Sequence, residues 1–456
     1  MKILALLALT AVGASHATAP LNVVVIDVCS ARTDRFGAYG SSAGLTPGLD
    51  AFAKEAATFE NAWAQSSWCL PNYATLLTGH RPEVNGLYAN VPFRGLPDWE
   101  ETIAERMRSA GYRTGGFTAG AYTLPVWGLD RGFDTYVNRF STSALMPGRF
   151  ADMAPEIENW IAASSSQPFF LYATVDDLHA PYQSDAPEDA APDATMNVGF
   201  YRAYNGEPLP PGSPFAEKAA AFRRDPKALE ALKRRYDRSV RSVDRSISRF
   251  LDDLKGRGLW DRTIVVVTAD HGELLGEHGL LGHTEGLYEP ILRVPLFIRH
   301  PDYPRSAGAK IGALVERIDL PPTLLESAGV PTDDLELQGR SLAPLLSDPL
   351  APWRRIAYSS SKRNVAVASD WIIDERAVRD ERWKLIWSLA KDRWELYDLR
   401  EDPLESRDLA ASRPDVIARL ALQMESETER ARPHTTGRPS GRTDLPAANL
   451  TLPKHD

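Results

Sequence analysis

Cysteine is scarce in this chain, which contains two cysteines, Cys29 and Cys69, among 456 residues. Two cysteines are too few for a disulfide scaffold, so the hydrophobic core has to supply the stability, and a single Cys29–Cys69 bridge is left open. An excess of positive charge is also lacking, since the formal net charge is −9. This charge does not favour a nucleic-acid partner, which would need a basic face.

Long apolar runs are lacking outside the extreme N-terminus, so we expect no membrane span in the mature chain. Residues 1–19 combine Lys2, a short apolar stretch and the small residues Ala17 and Ala19 before Pro20. This order is typical of a secretory signal peptide with its cleavage site. The alternative is a buried first helix. We therefore predict an exported protein, located in the periplasm or secreted.

Strand-like and helix-like segments alternate along most of the chain. Four apolar segments, rich in β-branched or aromatic residues, predict buried strands: residues 21–27, 112–118, 168–175 and 263–268. Three segments predict helices: residues 46–57, 99–110 and 227–255. This alternation predicts an α/β fold, namely a three-layer sandwich with a large, mostly parallel or mixed sheet.

The last hundred residues have a different pattern. Four short strand-like segments, residues 354–358, 371–378, 383–387 and 394–398, precede a predicted helix at 413–430. They predict a small C-terminal subdomain with an antiparallel sheet. We divide the chain into a signal peptide (1–19), a catalytic α/β domain (20–349), a C-terminal α+β subdomain (350–431) and a polar tail expected to be disordered (432–456). Residues 184–224 show no clean period and predict a surface excursion that shapes the substrate pocket or forms a lid.

Acidic residues and histidines lie at the ends of the predicted strands. Asp27, His179, Asp270 and His271 each end or directly follow such a segment. Ligands of open α/β sheets bind at the carboxyl ends of the strands. Carboxylate oxygens and an imidazole nitrogen suit a divalent cation, so Asp27, Asp270 and His271 are predicted metal ligands. The alternative is that Asp and His serve there as turn and cap residues.

Cys69 lies in the segment SSWCLPNYATLLTG, residues 66–79, where a loop enters a predicted helix. A helix N-terminus attracts anions and lowers the pKa of a thiol. A nucleophile there, beside a metal, suits attack on a sulfate or phosphate ester. The alternative is a small buried side chain, which is the commonest role of a free cysteine. Cys29 follows Asp27 by two residues, and we interpret it as a buried thiol at the end of a loop.

A series of motifs resembles the sulfatase family of the alkaline phosphatase superfamily, in order, over residues 21–409. CLPNYATLLTGHRP is similar to the Cys-x-Pro-x-Arg signature and the run that follows it. The same order continues in other parts of the chain: VVVIDVCSARTDRFGAYG, PFFLYATVDDLHAPY, TIVVVTADHGELLGEHGLLGH, LYEPILRVPLFIR and RIDLPPTLLESAGVP. The resemblance implies an exported sulfuric ester hydrolase with the α/β fold predicted above.

The resemblance also implies roles for individual residues. Cys69 would be the nucleophile, oxidised to formylglycine by a formylglycine-generating or maturase enzyme, and would itself contact the metal. Asp27, Asp270 and His271 would hold a divalent cation, calcium first, with manganese or zinc left open. His179 and His283 would contact the ester oxygens or protonate the leaving group. The substrate would be a sulfate ester of a small molecule or a glycan.

Departures from the family pattern leave alternatives open. Tyr73 replaces the signature arginine, Val28 stands where a second aspartate is often found, and His283 stands about where a lysine often binds sulfate. Two extra residues also lie between Asp27 and Arg32. One alternative is a phosphoester hydrolase or phosphoglycerol-type transferase of the same superfamily that uses an unmodified nucleophile. Another is a catalytically degenerate binding protein.

Overall fold

The computed structural model describes residues 20–88, 95–141, 146–163, 167–186, 198–207, 209, 212–364 and 372–432. The predicted signal peptide lies outside these residues, and so does the predicted tail except for Arg432. None of the described helices is both long enough and apolar enough to span a membrane.

A nine-stranded sheet forms the centre of the molecule. Its strands are β1 (Asn22–Val28), β2 (Ala57–Trp63), β3 (Arg113–Thr118), β4 (Thr135–Asn138), β5 (Phe169–Val175), β6 (Thr263–Thr268), β9 (Arg293–Val294), β10 (Leu296–Arg299) and β11 (Lys310–Glu316). The order is β11-β2-β10-β6-β1-β5-β3-β4, with β9 beside β2. All neighbours along this path pair in parallel except β10, which is antiparallel to β2 and β6. The predicted large, mostly parallel sheet is confirmed.

The central strands are mostly apolar because both faces of the sheet are covered. Every residue of β1, β5 and β6 is buried. The helices are α1 (Pro47–Phe52), α2 (Cys69–Thr78), α3 (Pro82–Asn85), α4 (Ile103–Ser109), α5 (Phe150–Ala162), α6 (Val198–Tyr204), α7 (Phe215–Arg224), α8 (Ala228–Gly256), α9 (Glu289–Leu292), α10 (Leu320–Ser327), α11 (Ala343–Ser347) and α12 (Pro414–Arg430). Helices α1 and α5 pack on α8, whereas α4 and α10 pack on α2. The two groups form the outer layers of the sandwich.

A separate antiparallel sheet lies at the C-terminus, as predicted. It consists of β12 (Ala357–Asn364), β13 (Ile372–Arg379), β14 (Trp383–Ser388) and β15 (Arg393–Asp398) in sequential order. Helix α12 packs on β13 and β14 through a small apolar cluster that includes Leu385, Leu396 and Leu420. Ala357 and Ala377 of this sheet belong instead to the main core, so the two parts share buried apolar contacts.

Two predictions of local structure differ from the structure. The helix predicted over residues 46–57 ends at Phe52, and strand β2 begins at Ala57. The excursion over residues 184–224 contains α6 and α7, whose aromatic side chains pack together: the ring centroids of Phe200 and Phe222 are 5.4 Å apart. Tertiary contacts between aromatic side chains therefore order a segment that has no clear amphipathic period.

Candidate functional site

The carboxyl ends of β1, β5 and β6 bring the predicted site residues to one edge of the sheet. Asp27 of β1 pairs with Thr174 of β5 and with Thr268 of β6. Asp270 and His271 follow β6 by two and three residues, and His179 follows β5. Because these strands are parallel, their carboxyl ends lie at the same edge of the sheet. The residues at or just after those ends therefore lie at that edge as well.

Cys69 is the first residue of α2 and is buried. The loop that enters the helix is held by Asn72: its Oδ1 accepts hydrogen bonds from the backbone N–H groups of Gln65 and Ser66, both at 3.1 Å. Its Nδ2 donates to Ser66 O at 2.7 Å and to Trp68 O at 3.0 Å. The side chain of Asn72 thus fixes the position from which the Cys69 thiol projects.

Histidine and cysteine side chains surround the Cys69 sulfur at short range. His271 Nε2 lies 3.1 Å from it, Cys29 Sγ lies 3.8 Å from it and His283 Nε2 lies 3.9 Å from it. Burial raises the pKa of this thiol, but the Cys29 thiol, the charge on His271 and hydrogen bonds from His179 and His271 outweigh it. Together they hold the pKa of the Cys69 thiol well below its usual range.

Asp270 and His271 have fixed orientations. Asp270 Oδ1 accepts hydrogen bonds from the backbone N–H groups of Ser30 at 3.1 Å and His271 at 2.7 Å. Asp270 Oδ2 is buried, has no hydrogen-bond partner among the described residues and lies 3.4 Å from His271 Nε2. His271 Nδ1 donates to Gly272 O at 2.7 Å, because a carbonyl can only accept. Burial lowers the pKa of His271, but the charges of Asp270 and Cys69 raise it to about 10.

Asp27 is held on one side by a buried arginine. Its Oδ2 accepts from Arg317 at 2.6 Å and from the Tyr172 hydroxyl at 3.2 Å. Its Oδ1 is buried and has no hydrogen-bond partner among the described residues. Burial raises the pKa of Asp27 to about 6; Arg317 opposes this rise and the charge of Asp270 adds to it. Two carboxylates therefore face one region with one free oxygen each.

His179 and His283 lie side by side, with ring centroids 5.1 Å apart. His283 Nδ1 bonds to Glu273 Oε2 at 2.9 Å, and the Tyr182 hydroxyl donates to Glu273 Oε1 at 3.2 Å. His179 Nδ1 donates to Ala180 O at 2.9 Å. Burial lowers the pKa of His179, but its hydrogen bond and charge interaction with Cys69 raise it to about 9.

The structure gathers the predicted residues into two sets that share Cys69. The potential ligand atoms of Cys69, Asp270 and His271 lie within 4.8 Å of one another, together with the sulfur of Cys29. The potential ligand atoms of Cys69, His179 and His283 also lie within 4.8 Å of one another. Asp27 is a neighbour of the first set and is not a member of it.

Tyr73, which stands where the family signature has arginine, is buried within α2. Its hydroxyl has no hydrogen-bond partner among the described residues. Burial, reinforced by the charges of Asp176 and Asp270, raises the pKa of Tyr73 well above its usual range. Tyr73 therefore brings a neutral group to a position where the signature has a cation.

Sequence reasoning missed one residue in this region, Arg317. Cys29, interpreted as a buried loop-end thiol, is buried and lies in the first set beside Cys69. Its spacing from Asp27, two residues along an extended strand, places it on the same side. Arg317 pairs with Asp27 across 290 positions of sequence. No local pattern distinguishes Arg317 from its charged neighbours Glu316 and Asp319.

Two family models match the chain. Residues 21–330 match the model described as Sulfatase, and residues 276–432 match the model described as N-sulphoglucosamine sulphohydrolase, C-terminal. Among curated proteins, N-acetylglucosamine-6-O-sulfatase of Bacteroides thetaiotaomicron is 26% identical over 85% of this chain and 82% of that protein.

Solved structures share the fold. A protein solved in complex with its substrate D-glucosamine-2-N,6-O-disulfate superposes with a TM-score of 0.70 at 22% identity, over 91% of this chain and 98% of that one. Phosphonate monoester hydrolase of Agrobacterium radiobacter superposes with a TM-score of 0.71 at 22% identity, over 90% and 95% of the two chains.

Proposed function

Because the chain belongs to the sulfatase family, we propose that it hydrolyses sulfate monoesters with Cys69, or the formylglycine made from it, as the nucleophile. The Sulfatase model covers more than half of the chain, so the predicted family and the predicted class, a sulfuric ester hydrolase, are confirmed. The nucleophile, the metal and the substrate are the proposed part.

One observation carries the assignment of the nucleophile. Cys69 begins a helix at the carboxyl edge of the sheet, and its sulfur lies within hydrogen-bonding range of His271 and within 3.9 Å of His283. A nucleophile at this point therefore has imidazole groups close to its reactive atom. A helix N-terminus also favours the negative charge of a sulfate group.

His179 and His283 are the proposed groups for the ester. The nucleophile forms a bond to sulfur, and the bond between sulfur and the ester oxygen breaks. The departing oxygen needs a proton, which His179 donates. Sulfate then leaves the nucleophile, either because water attacks the sulfur or, in the formylglycine form, because the hydrate eliminates sulfate and the aldehyde takes up water again, and the nucleophile is restored. His283, whose Nδ1 is fixed by Glu273, presents Nε2 toward Cys69 and contacts the sulfate oxygens. Glu273 is thereby a positioning residue.

A divalent cation fits the donor atoms at this edge. Within the described part of the chain, Asp27 Oδ1 and Asp270 Oδ2 are buried acceptors without hydrogen-bond partners. His271 Nε2 lies 3.4 Å from Asp270 Oδ2 and 3.1 Å from the Cys69 sulfur. We propose Asp27, Asp270, His271 and Cys69 as its ligands. When bound, the cation would supply positive charge that offsets the negative charge of a sulfate ester. The resemblance favours calcium, with manganese and zinc as the other candidates.

The substrate is proposed from the name of a curated relative, and the location is proposed from the N-terminal sequence. The curated relative described above is named for sulfate removal from N-acetylglucosamine, which supports a sulfated glycan or a smaller sulfate ester as substrate. The signal-peptide pattern supports export to the periplasm or beyond. If Cys69 is converted to formylglycine, the maturing enzyme has to accept Tyr73 in place of arginine.

The test compares sulfate and phosphate esters on the same leaving group. We expect the wild-type chain to release nitrophenol from nitrophenyl sulfate, and we expect Cys69→Ala to lower kcat/KM by at least about a thousandfold. Preferential hydrolysis of a nitrophenyl phosphonate monoester or phosphate diester would favour the phosphoester alternative. Equal rates in wild type and Cys69→Ala would exclude Cys69 as the nucleophile.

The mass of the peptide that contains Cys69 decides its chemical form. Conversion to formylglycine lowers the mass relative to cysteine. Because Tyr73 lacks the positive charge of the signature arginine, we expect incomplete conversion in a general expression host and a larger converted fraction in Tyr73→Arg. Complete conversion in the wild type would show that the arginine is dispensable.

A further inference from the structure

We propose that Cys29, Cys69, Asp270 and His271 form a thiolate-rich binding site for a zinc-type divalent cation. This site is the alternative to the cation site proposed above: it shares Cys69, Asp270 and His271 with that site, and Cys29 takes the place of Asp27, so one chain can form only one of the two. It does not depend on the chain being active toward sulfate esters. All four side chains are buried, and one potential ligand atom of each lies within 4.8 Å of the others.

The distances between these atoms suit a tetrahedral zinc ion. With zinc–sulfur bonds of about 2.3 Å and zinc–nitrogen bonds of about 2.0–2.1 Å, tetrahedral angles separate two sulfurs by about 3.8 Å. The Cys29 and Cys69 sulfurs are 3.8 Å apart. The same geometry separates carboxylate oxygen from imidazole nitrogen by about 3.3 Å and sulfur from nitrogen by about 3.6 Å. The observed values are 3.4 Å for Asp270–His271 and 3.1 Å for Cys69–His271. Of these three distances, the one between Cys69 and His271 would have to lengthen.

Backbone groups occupy one polar atom on Asp270 and one on His271, and the second polar atom of each side chain faces the site. Backbone N–H groups occupy Asp270 Oδ1, so Oδ2 is the oxygen without a hydrogen bond. The carbonyl of Gly272 accepts from His271 Nδ1, so Nε2 points toward the sulfurs. A backbone carbonyl that holds the second nitrogen of a histidine ligand is the usual arrangement around protein-bound zinc. The polar neighbours of His271 Nε2 at 3.1 Å and 3.4 Å, the Cys69 sulfur and Asp270 Oδ2, are themselves proposed ligands.

The loop after β1 fixes Cys29 against the other ligands. The backbone N–H of Cys29 continues the sheet by bonding to Val175 O at 2.9 Å. Ser30 follows in the left-handed region, at φ 63°, which is uncommon for a residue other than glycine. Its N–H bonds to Asp270, and its carbonyl accepts from the Tyr236 hydroxyl at 2.6 Å. The turn therefore links two proposed ligands: Ser30 directly follows Cys29, and the N–H of Ser30 bonds to Asp270.

The chemistry of the donors favours zinc over calcium. Calcium takes six to eight oxygen ligands, whereas thiolate and imidazole select zinc and related transition metals. The set offers two sulfurs, one nitrogen and one oxygen. Asp27, the other carboxylate nearby, already gives one of its oxygens to Arg317 and Tyr172. The guanidinium of Arg317 thereby supplies a positive charge beside Asp27 without a metal.

The experiment measures metal binding directly on the full-length chain. Protein freed of metal with a chelator is dialysed against equal concentrations of zinc and calcium, and bound metal is counted by mass spectrometry. We expect about one zinc per chain and no stoichiometric calcium. Cobalt added in place of zinc should give thiolate-to-cobalt charge-transfer absorption. Cys29→Ala should weaken zinc binding by at least about a hundredfold and reduce that absorption.

Controls separate loss of a ligand from loss of the fold. His271→Gln should lose zinc, whereas His300→Gln, which changes a buried histidine outside the site, should retain it. Far-ultraviolet circular dichroism and urea midpoints establish that each variant is folded. Cys29→Ser is the second variant if Cys29→Ala does not fold.

Three results would overturn the proposal. These are calcium retained in preference to zinc, a cobalt spectrum that Cys29→Ala leaves unchanged, and masses that show a Cys29–Cys69 disulfide or full conversion of Cys69. The proposed function fails independently: zinc bound through both thiolates without sulfate release would contradict that function alone. Sulfate release with calcium and no zinc would contradict this inference alone.

Discussion

Two of the buried clusters of charged residues in this protein are built differently. The site cluster consists of Asp27, Cys69, Asp270 and His271 at the carboxyl edge of the large sheet. The interface cluster consists of Glu289, Arg379, Lys384 and Glu405, where the C-terminal sheet meets the catalytic part. All eight side chains are buried.

In the interface cluster, opposite charges pair with each other. Glu289 lies 2.8 Å from Arg379 and 3.3 Å from Lys384, and Lys384 lies 2.8 Å from Glu405. Burial raises the pKa of Glu289, but Arg379 and Lys384 outweigh it and hold the pKa at about 2. The backbone N–H of Glu289 also donates to Glu405 at 2.6 Å. Glu405 Oε1 has this ion pair but no hydrogen bond among the described residues, and burial raises the pKa of Glu405 to about 7 while the charge of Lys384 opposes the rise.

In the site cluster, the positive charges of Arg317 and His271 lie beside Asp27 and Asp270, but they do not satisfy both oxygens of either carboxylate. Burial raises the pKa of Asp27 and of Asp270, and each carboxylate has one oxygen without a hydrogen-bond partner among the described residues. Buried polar groups are normally satisfied, so an exception calls for an explanation. The difference between the clusters indicates that the site cluster is built to bind a cation and the interface cluster is built to hold two parts together.

The largest expected effect comes from the site cluster. Asp270→Asn removes one negative charge and one proposed ligand, so we expect kcat/KM for a nitrophenyl sulfate to fall by at least about a thousandfold. Without metal, the same change relieves repulsion between Asp27 and Asp270, so the urea midpoint of the apo-protein should stay equal or rise.

The matched control is Asp244→Asn, another buried aspartate. Asp244 accepts hydrogen bonds from the backbone N–H groups of Gly48 and Leu49 at the start of α1, away from the site. It should keep wild-type kcat/KM and lose some stability. An Asp270→Asn protein that turns over normally would remove Asp270 from the mechanism.

In the interface cluster we expect a substitution to lower stability and to leave turnover unchanged, which is the opposite of the effect expected in the site cluster. Lys384→Met removes the cation between Glu289 and Glu405 and leaves buried negative charge unpaired, which costs about 3–5 kcal/mol of unfolding free energy. The turnover of the folded fraction should not change. Urea denaturation measures the first quantity and initial rates measure the second.

Lys233→Met provides the surface comparison. Lys233 pairs with Glu230 one turn away on α8, and both are accessible. Such a pair contributes at most about 0.5 kcal/mol. If Lys384→Met were no more harmful than Lys233→Met, the interface cluster would not hold the two parts together.

The third expected effect concerns the acid for the leaving group. His179→Asn should lower the rate by about a hundredfold for an alkyl sulfate and by less than about tenfold for nitrophenyl sulfate, because a good leaving group needs little protonation. The ratio of the two losses is the measurement. Equal losses for both substrates would assign His179 to binding or structure.

The smallest expected effect is a pH dependence at the edge of the interface. Glu375 of β13 accepts from the backbone N–H of Gly286 at 3.0 Å, and burial raises its pKa from 4.5 to about 7, while Lys391 opposes this rise. The folded state therefore keeps a proton that the unfolded state loses near its lower pKa. Stability should fall as the pH rises through the interval from 4.5 to about 7.

Glu375→Gln removes this titration. Between pH 5 and pH 8, wild type should lose about 1–2 kcal/mol of unfolding free energy more than the variant loses. Urea midpoints at both pH values give the comparison. Parallel pH profiles for the two proteins would show that Glu375 does not titrate in this interval.

The sequence predicts the central sheet well because a strand buried on both faces is a nearly continuous run of apolar, often β-branched residues. The stretch NVVVIDV and the strand of residues 263–268 were located to within a residue. Strand β2 was missed because its sequence, ATFENAW, contains polar residues and follows a helix start signal at Pro47. Ordering of α6 and α7 depends on aromatic contacts that no local pattern reveals.

The site was predictable where residues stand at strand ends, and not where distant segments meet. Asp270 and His271 follow β6 directly, so their place at the edge of the sheet could be read from the sequence. The partner of Asp27, Arg317, comes from the far side of the chain. The left-handed turn at Ser30, whose N–H bonds to Asp270, has no signal in the sequence.

The most direct test of the contrast between the two clusters is calorimetric titration of divalent cations into chelator-treated protein. Wild type and Lys384→Met should bind one cation per chain with the same affinity, and Asp270→Asn should bind none at that site. Absence of binding in the wild type, or equal binding in wild type and Asp270→Asn, would contradict the account.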